Sequence, residues 1–350
     1  MALAHAAAPT GVAPIVEVLR GGVVESRHFG AAAVVAADGH VVGAWGDIQQ
    51  PVFPRSAIKP MQALPLLESG AADAFDLDAR EIAIACASHC GSAGHVRTVA
   101  AMLGRVGLDA AALACGARTP SDRDEVRRLA HGDEEPGRAH NGCSGKHAGM
   151  ILVARHLGAA WQGYHRIEHP VQQRVVGTLE QMTGLDLFGA ARAIDGCSLP
   201  IWALPLGNLA LAMARLADPV DLSEARQAAI DRIWQAQASA PEMVDGPGGF
   251  VTEALRLGEG RLLVKNGAEG VHVASLREEG LGIAVKIADG GDRAAQVAIA
   301  ALVLRYGEPG RAVRAHLRAA AGPPVLTWAG EKAGAIRPAE GWLARRGRRS

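Results

Sequence analysis

Apolar and polar positions alternate with period two along the first sixty residues. IVEVLRGGVVES and then FGAAAVVAADGHVVGAWGD therefore predict strands, and Asp38-Gly39 between two Val/Ala-rich runs predicts a hairpin turn. After Pro54 the pattern changes: RSAIKPMQALPLLESG predicts a short helix that starts near Ser56, because Pro60 is tolerated only in a first turn. The apolar run EIAIACASHCG predicts a buried strand emerging into a loop at Ser88 and His89, and GHVRTVAAMLGRVGL predicts a helix. Helical spacing dominates the middle third, in GKHAGMILVARHLG, HPVQQRVVGTLEQMTG, LGNLALAMARLAD and LSEARQAAIDRIWQAQ, with Gly and Pro breaks between them. Strand patterns return at RLLVKNG, GVHVASL and GIAVKIADGG. A final long helix is predicted from near Asp292 through AAQVAIAALVLRYG, followed by PPVLTW, an Ala/Gly-rich stretch and a basic tail.

Strands at both ends with helices between them predict one sheet assembled from the two termini and a mainly helical middle lobe. The fold class is α/β (α+β), without regular βαβ alternation. Residues 1–339 read as a single domain of two merged lobes and 340–350 as a solvated tail. The turns GGDRA and DGPGG lack the spacing of dinucleotide-binding or P-loop motifs, which argues against nucleotide binding.

Composition sharpens this. With 49% apolar and 21% charged residues over 350 positions, a large core is available and disorder is excluded. Aromatics are only 4%, so small aliphatic side chains build that core. Lys+Arg and Asp+Glu both number 36, a balance that argues against a nucleic-acid or membrane-surface partner. No apolar run reaches the roughly 18 residues of a spanning helix. The first basic residue is Arg20, and Pro9 and Pro14 break the opening segment, so a secretory leader is not expected and the cytoplasm is. The cysteines at 86, 90, 115, 143 and 197 are odd in number and dispersed, which fits thiol, metal or core roles better than a disulfide framework. Only five basic residues are lysines (59, 146, 265, 286 and 332) and the rest are arginines. Lysine can lose its proton when buried and arginine effectively cannot, so lysines in this chain mark places where amine chemistry is wanted.

Ser56 and Lys59 are spaced S-x-x-K, one helical turn apart, which suits a hydroxyl nucleophile and an amine base. A serine at a helix start is also an ordinary cap. Cys143 precedes a helix with Lys146 and His147 in its first turn, an environment that stabilises a thiolate. Asp195 and Cys197 lie in a second Gly-Cys-Ser turn, and the two cysteines are half of a zinc site if the fold joins them. Lys265 ends a strand pattern.

Together, RSAIKP, ASHCG, HNGCSGKHAGM, DGCS and KNGAEGV, in this order, resemble the rhizobial-type L-asparaginase II family, the class 3 asparaginases. The resemblance runs from about Val16 to Ala339 and implies a fold like that of serine β-lactamases and glutaminases. It implies that Ser56 with Lys59 and Ser88 with Lys265 are catalytic, that Arg55, Asp195 and His147 bind substrate, and that Cys143, Lys146 and Cys197 hold zinc. It also implies hydrolysis of the side-chain amide of L-asparagine by a homodimer, with Ser56 attacking and Lys59 as base. Cys90, Ser92 and Gly142, and the segment VDGPGGFVTEAL, depart from the family pattern and bear on substrate preference. Other readings are a glutaminase or penicillin-interacting acyl-serine enzyme, a non-catalytic zinc- or amino-acid-binding paralogue, and a hydrolase using Cys143 with His147.

Overall fold

The computed structural model describes residues 10–344. The start of the segment read for a leader and positions 345–350 of the basic tail lie outside the described residues. The described residues divide into two compact units, one from residues 10–52, 204–217 and 267–344, the other from 53–203 and 218–266.

The first unit is built on an antiparallel sheet drawn from both ends of the chain. Its strands run in the order Pro324–Leu326, Lys332–Pro338, Ala13–Arg20, Val23–Ala36, Leu281–Ile287 and Val271–Leu276, with Val41–Trp45 also on Val23–Ala36. The 14-residue strand Val23–Ala36 is the pivot. Its first half pairs with Ala13–Arg20 (Val18 opposite Ser26), its second half with Leu281–Ile287 (Val285 opposite Ala32) and Val41–Trp45 (Ala33 opposite Ala44). The run Ala31–Val35 is buried, and its small side chains let the helix Leu206–Ala217 lie close on the sheet. Ser275 Oγ secures that contact by donating to Met213 O at 2.7 Å. The helices Asp292–Tyr306 and Arg311–Ala321 pack against each other, and the former also packs on the sheet. Mixed α/β architecture, with the sheet taken from the two termini and a helical middle, is as the apolar pattern predicts.

Three local expectations are corrected. The run around EIAIACA is the helix Ala79–Ala85, not a strand. Asp78 accepts the Glu81 N–H at 2.9 Å and Glu81 accepts the Asp78 N–H at 3.0 Å, a capping box that overrides a period-free apolar run. Asp292–Tyr306 is not the last helix. Arg311–Ala321 follows, held by Val313, Leu317 and Ala320 on one face of an arginine-rich segment. The Ala/Gly-rich stretch contains the strand Lys332–Pro338, whose pairing with Ala13–Arg20 (Val18 opposite Ile336) comes from a partner three hundred residues away.

The second unit gathers helices around Ser144–His156. Every residue of that helix from Ser144 to Ala154 is buried, as expected of a helix surrounded by others. Ala79–Ala85, Ala93–Gly104 and Pro170–Thr183 pack against it. At Gly145 a Cβ would stand 2.3 Å from Ile84 O, so only glycine lets the two backbones approach here.

Candidate active site

All ten residues singled out from the sequence lie in the second unit. Ser56 sits in the 3-10 turn Arg55–Ile58, whose cap position is Pro54 with no side-chain cap bond, so Ser56 is not a helix cap. Arg55 is held at φ +51°, a left-handed conformation that a residue other than glycine or asparagine adopts only when its surroundings impose it. Its surroundings include Asp195: Arg55 Nε donates to Asp195 Oδ1 at 2.6 Å. Asp195 in turn belongs to a tight turn in which its carbonyl accepts the Ser198 N–H at 2.8 Å and Ser198 takes φ +71°.

Lys59 opens the next helix and is fully buried. Its amine does not turn back to Ser56. Nζ donates to Ala87 O (2.5 Å) and Gly142 O (3.3 Å) and contacts Ser88 Oγ at 3.0 Å. Lys265, near the end of the strand Leu262–Gly267 and also fully buried, reaches the same hydroxyl: Nζ lies 2.8 Å from Ser88 Oγ, from Asn266 O and from Asn266 Oδ1. One serine hydroxyl therefore stands between two buried amines.

Each amine has two oxygen partners besides Ser88 Oγ, so hydrogen counting is met by one ammonium and one neutral amine in either order, and the electrostatics favours Lys59 as the ammonium. A hydroxyl has one proton to give and lone pairs to receive with. Lys59 as ammonium has three donors for its three oxygen partners. Lys265 as neutral amine has two donors for the two Asn266 oxygens and one lone pair for the Ser88 proton. Burial lowers both lysines; at Lys59 the sulfurs of Cys143 and Cys197 oppose this, while Lys146 adds to it. At Lys265 the neighbouring Lys59 adds to burial, and its pKa falls well below the usual lysine value.

Ser88 is placed by the loop after Ala79–Ala85, which is tied on both sides. His89 Nδ1 accepts the Gly91 N–H at 3.2 Å, leaving Nε2 to donate to Ser144 Oγ at 2.9 Å, and Ser144 Oγ donates to Ala139 O at 2.9 Å. Burial, then the charges nearby, keeps His89 neutral, so it is a strut and not a base. The glycine at 142 also has a local cause: a Cβ there would come within 2.7 Å of His89 O.

The second cluster lies at the start of the helix Ser144–His156. Lys146 Nζ donates to Cys197 Sγ at 3.3 Å, and Cys197 Sγ donates to Asp195 Oδ2 at 3.3 Å. Contact with the Cys197 sulfur, with Lys59 and Lys146 nearby, holds the Cys143 thiol well below its usual range despite burial, while Cys197 is pushed up by the same contact and by burial. Burial opposes the charge of Lys146, but the two sulfurs outweigh it and its pKa rises. Among the described residues no three His, Cys, Asp or Glu side chains are arranged to hold a metal, so a metal here needs the lysine amine as a ligand. The donor set fits zinc. Two thiols and an amine converge, and the 3.3 Å amine–sulfur contact is near the ~3.6 Å edge of a tetrahedron with zinc's bond lengths.

His147 is fully buried in the same helix. Tyr164 accepts the Ala114 N–H at 2.8 Å, so its proton goes to His147 Nδ1 at 2.6 Å, and His147 Nε2 is left without a partner. Cys143 and His147 thus bond to different groups, Cys197 and Tyr164. The remaining cysteines are free thiols; burial pushes Cys86 and Cys115 up to about 12, as core thiols. Sequence reasoning gave no role to Asn266, although it is adjacent to Lys265, or to the carbonyls of Ala87 and Gly142. Backbone acceptors leave no mark on residue type.

A family model described as L-asparaginase II matches residues 16–338, and the chain belongs to the L-asparaginase II family. No curated protein matches the chain. Among solved structures it is similar to a β-lactamase from Mycobacterium bovis, with 17% identity, 79% of this chain and 94% of that one covered, and a TM-score of 0.41. It is also similar to the D-alanine carboxypeptidase AmpC from Burkholderia cenocepacia, with 12% identity, 75% and 88% covered, and a TM-score of 0.36. No helix among the described residues is long and apolar enough to cross a membrane.

Proposed function

We propose that this member of the family is an L-asparaginase that attacks the side-chain amide of L-asparagine with Ser88. The observation that carries the reading is the single hydroxyl held between Lys265 Nζ and Lys59 Nζ. Neutral Lys265 takes the Ser88 proton as Oγ bonds to the amide carbon, and the Lys59 ammonium stabilises the developing negative charge. Lys265 then returns that proton to the departing ammonia. Water, activated by the same amine, cleaves the resulting ester to release aspartate and restore Ser88. Ser56, beside the strained Arg55, takes a substrate-positioning role with Arg55, Asp195 and the unpartnered Nε2 of His147.

Cys143, Lys146 and Cys197 would hold zinc, with the Lys146 proton displaced by the metal. Two thiolates neutralise most of the ion's charge, so bound zinc supplies orientation and not a hydroxide. The same reading includes a cytoplasmic homodimer, for which light scattering should give twice the 36.2 kDa of one chain. The direct test is ammonia release from L-asparagine and L-glutamine by purified protein, with and without chelator. Release from L-asparagine is expected; none from either amide would end the reading in favour of a binding paralogue, and faster release from L-glutamine would make it a glutaminase.

A further inference from the structure

Lys265 and Asn266 are neighbours near the end of the strand Leu262–Gly267. Side chains of adjacent strand residues stand on opposite faces, so local geometry alone does not bring these two together. Here they meet twice. Lys265 Nζ lies 2.8 Å from Asn266 Oδ1 and 2.8 Å from Asn266 O, and its third partner is Ser88 Oγ at 2.8 Å. Both Asn266 oxygens can only accept, so they take two hydrogens of the amine whatever its charge. One tetrahedral direction is left, carrying a hydrogen or a lone pair, and it falls to the Ser88 hydroxyl. Lys59, also at that hydroxyl, is held differently: its other oxygen partners are the main-chain carbonyls of Ala87 and Gly142. Among the described residues, Asn266 therefore supplies the one side-chain oxygen besides Ser88 Oγ that fixes either amine.

We propose that Asn266 is a positioning residue of the Ser88–Lys265 pair: its carboxamide oxygen, together with its main-chain carbonyl, aims the lysine amine at the serine hydroxyl. The need is geometric. A lysine side chain is a flexible four-carbon stem, and burial confines its end without turning the amine towards one particular neighbour. Proton transfer requires the two groups within hydrogen-bond reach and aligned, and a misplacement of about 1 Å can cost on the order of 100-fold in rate. The inference rests on the functional reading above only in taking Ser88 and Lys265 as the reacting pair.

Asn266→Leu keeps the shape of the side chain and removes its oxygen, and Asn266→Ala removes the whole carboxamide. Protein carrying ¹³Cε-labelled lysine has five labelled residues, of which Lys265 is assigned by its loss in Lys265→Arg. Relaxation of that carbon reports how far the end of the side chain swings. In both variants the swing should widen, and kcat for L-asparagine should fall by about 10- to 100-fold with KM changed by less than about twofold. Asn266→Asp keeps an oxygen in the same place and should restore the ordering. Its charge favours the protonated amine, so the acid limb of kcat/KM should move to higher pH, with turnover recovered above it. Should one oxygen-free variant not fold, the other carries the test. Unchanged Lys265 relaxation in a folded oxygen-free variant overturns the proposal, and so does a widened swing that leaves kcat as it was. If the parent protein hydrolyses neither amide, the functional reading falls, and the relaxation alone decides whether Asn266 aims Lys265.

Discussion

Replacing Ser88 by alanine separates the two serines that the sequence offers as nucleophiles. The hydroxyl makes two contacts, at 3.0 Å to Lys59 and 2.8 Å to Lys265. A hydrogen bond to a charged group is worth about 1.5–3 kcal/mol net, and one between neutral groups about 1 kcal/mol. The lost bonds therefore amount to ~2–4 kcal/mol, within a total stability of ~5–15 kcal/mol. For a unit of roughly 200 residues this lowers Tm by about 5–15 °C and leaves the protein folded at 25 °C. Catalysis should suffer far more, on the order of 10⁴-fold or greater in kcat, because removal of an attacking group leaves only positioning effects. Ser56→Ala removes a half-buried hydroxyl without a cap bond, so stability should hardly change. Loss of one contact to substrate should cost about tenfold in kcat/KM, mainly through KM. A coupled ammonia assay gives the rates, melting curves give the stability, and acid-quenched protein digested for mass spectrometry locates the acyl group. The reasoning fails if folded Ser88→Ala keeps turnover within tenfold of the parent, or if the acyl group maps to Ser56.

Three further outcomes follow from the same geometry. Because Lys265 is neutral when folded and charged when unfolded, unfolding takes up a proton. Stability in urea should therefore rise as pH climbs from the lowered folded pKa towards the free value of 10.5, and kcat/KM should rise through the lowered value; Lys265→Met should abolish the stability dependence and eliminate turnover. Elemental analysis of unchelated protein should find about one zinc per chain, and Cys197→Ala and Lys146→Arg should each lose most of it, with KM raised more than kcat is lowered. Away from the site, Arg226 is buried with its guanidinium on Glu68 and on Thr178 Oγ1 at 3.4 Å. Glu68→Ala should cost about 3–5 kcal/mol by urea unfolding, because the charge left behind has no water to return to.

What was legible in the sequence is what period and residue type encode. The strands at both ends, the Asp38-Gly39 hairpin and the central buried helix from Ser144 follow from alternation and helical spacing. Scarce lysines and paired Gly-Cys-Ser turns marked side chains that the fold gathers: Cys143, Lys146, Asp195 and Cys197 come together. Partners were less legible. S-x-x-K spacing suggests that Lys59 serves Ser56, but the segment is a 3-10 turn running into a short helix, and the buried amine reaches across the fold to Ser88. The strand–helix error at Ala79–Ala85 arises because an apolar run without period fits either element, and the deciding signal was the D-x-x-E box before it.

The five lysines offer a final and sharper division. Three of them, Lys59, Lys146 and Lys265, are buried at the two clusters in a chain that otherwise uses arginine. The other two are of a different kind: Lys286 bonds to the Glu269 carbonyl from a strand of the first unit, and Lys332 is exposed on another. A guanidinium stays protonated at any pH a protein survives and is bulkier than an ammonium. Lysine to arginine therefore keeps charge while removing the ability to give up a proton. At Lys286 and Lys332 this should leave kcat/KM unchanged and stability within about 0.5 kcal/mol. At Lys265 it should eliminate turnover, because no neutral base remains beside Ser88. At Lys59, whose role needs only the charge, the fixed cation satisfies the electrostatics but overpacks a fully buried site, at a cost of about 1–3 kcal/mol, and the loss of rate should be smaller than at Lys265. The ordering, Lys265→Arg far below Lys59→Arg and both below Lys286→Arg, is measured by kcat/KM on proteins matched for folded fraction. If Lys59→Arg is the dead variant and Lys265→Arg retains turnover, the two amines exchange roles and Lys59 is the base.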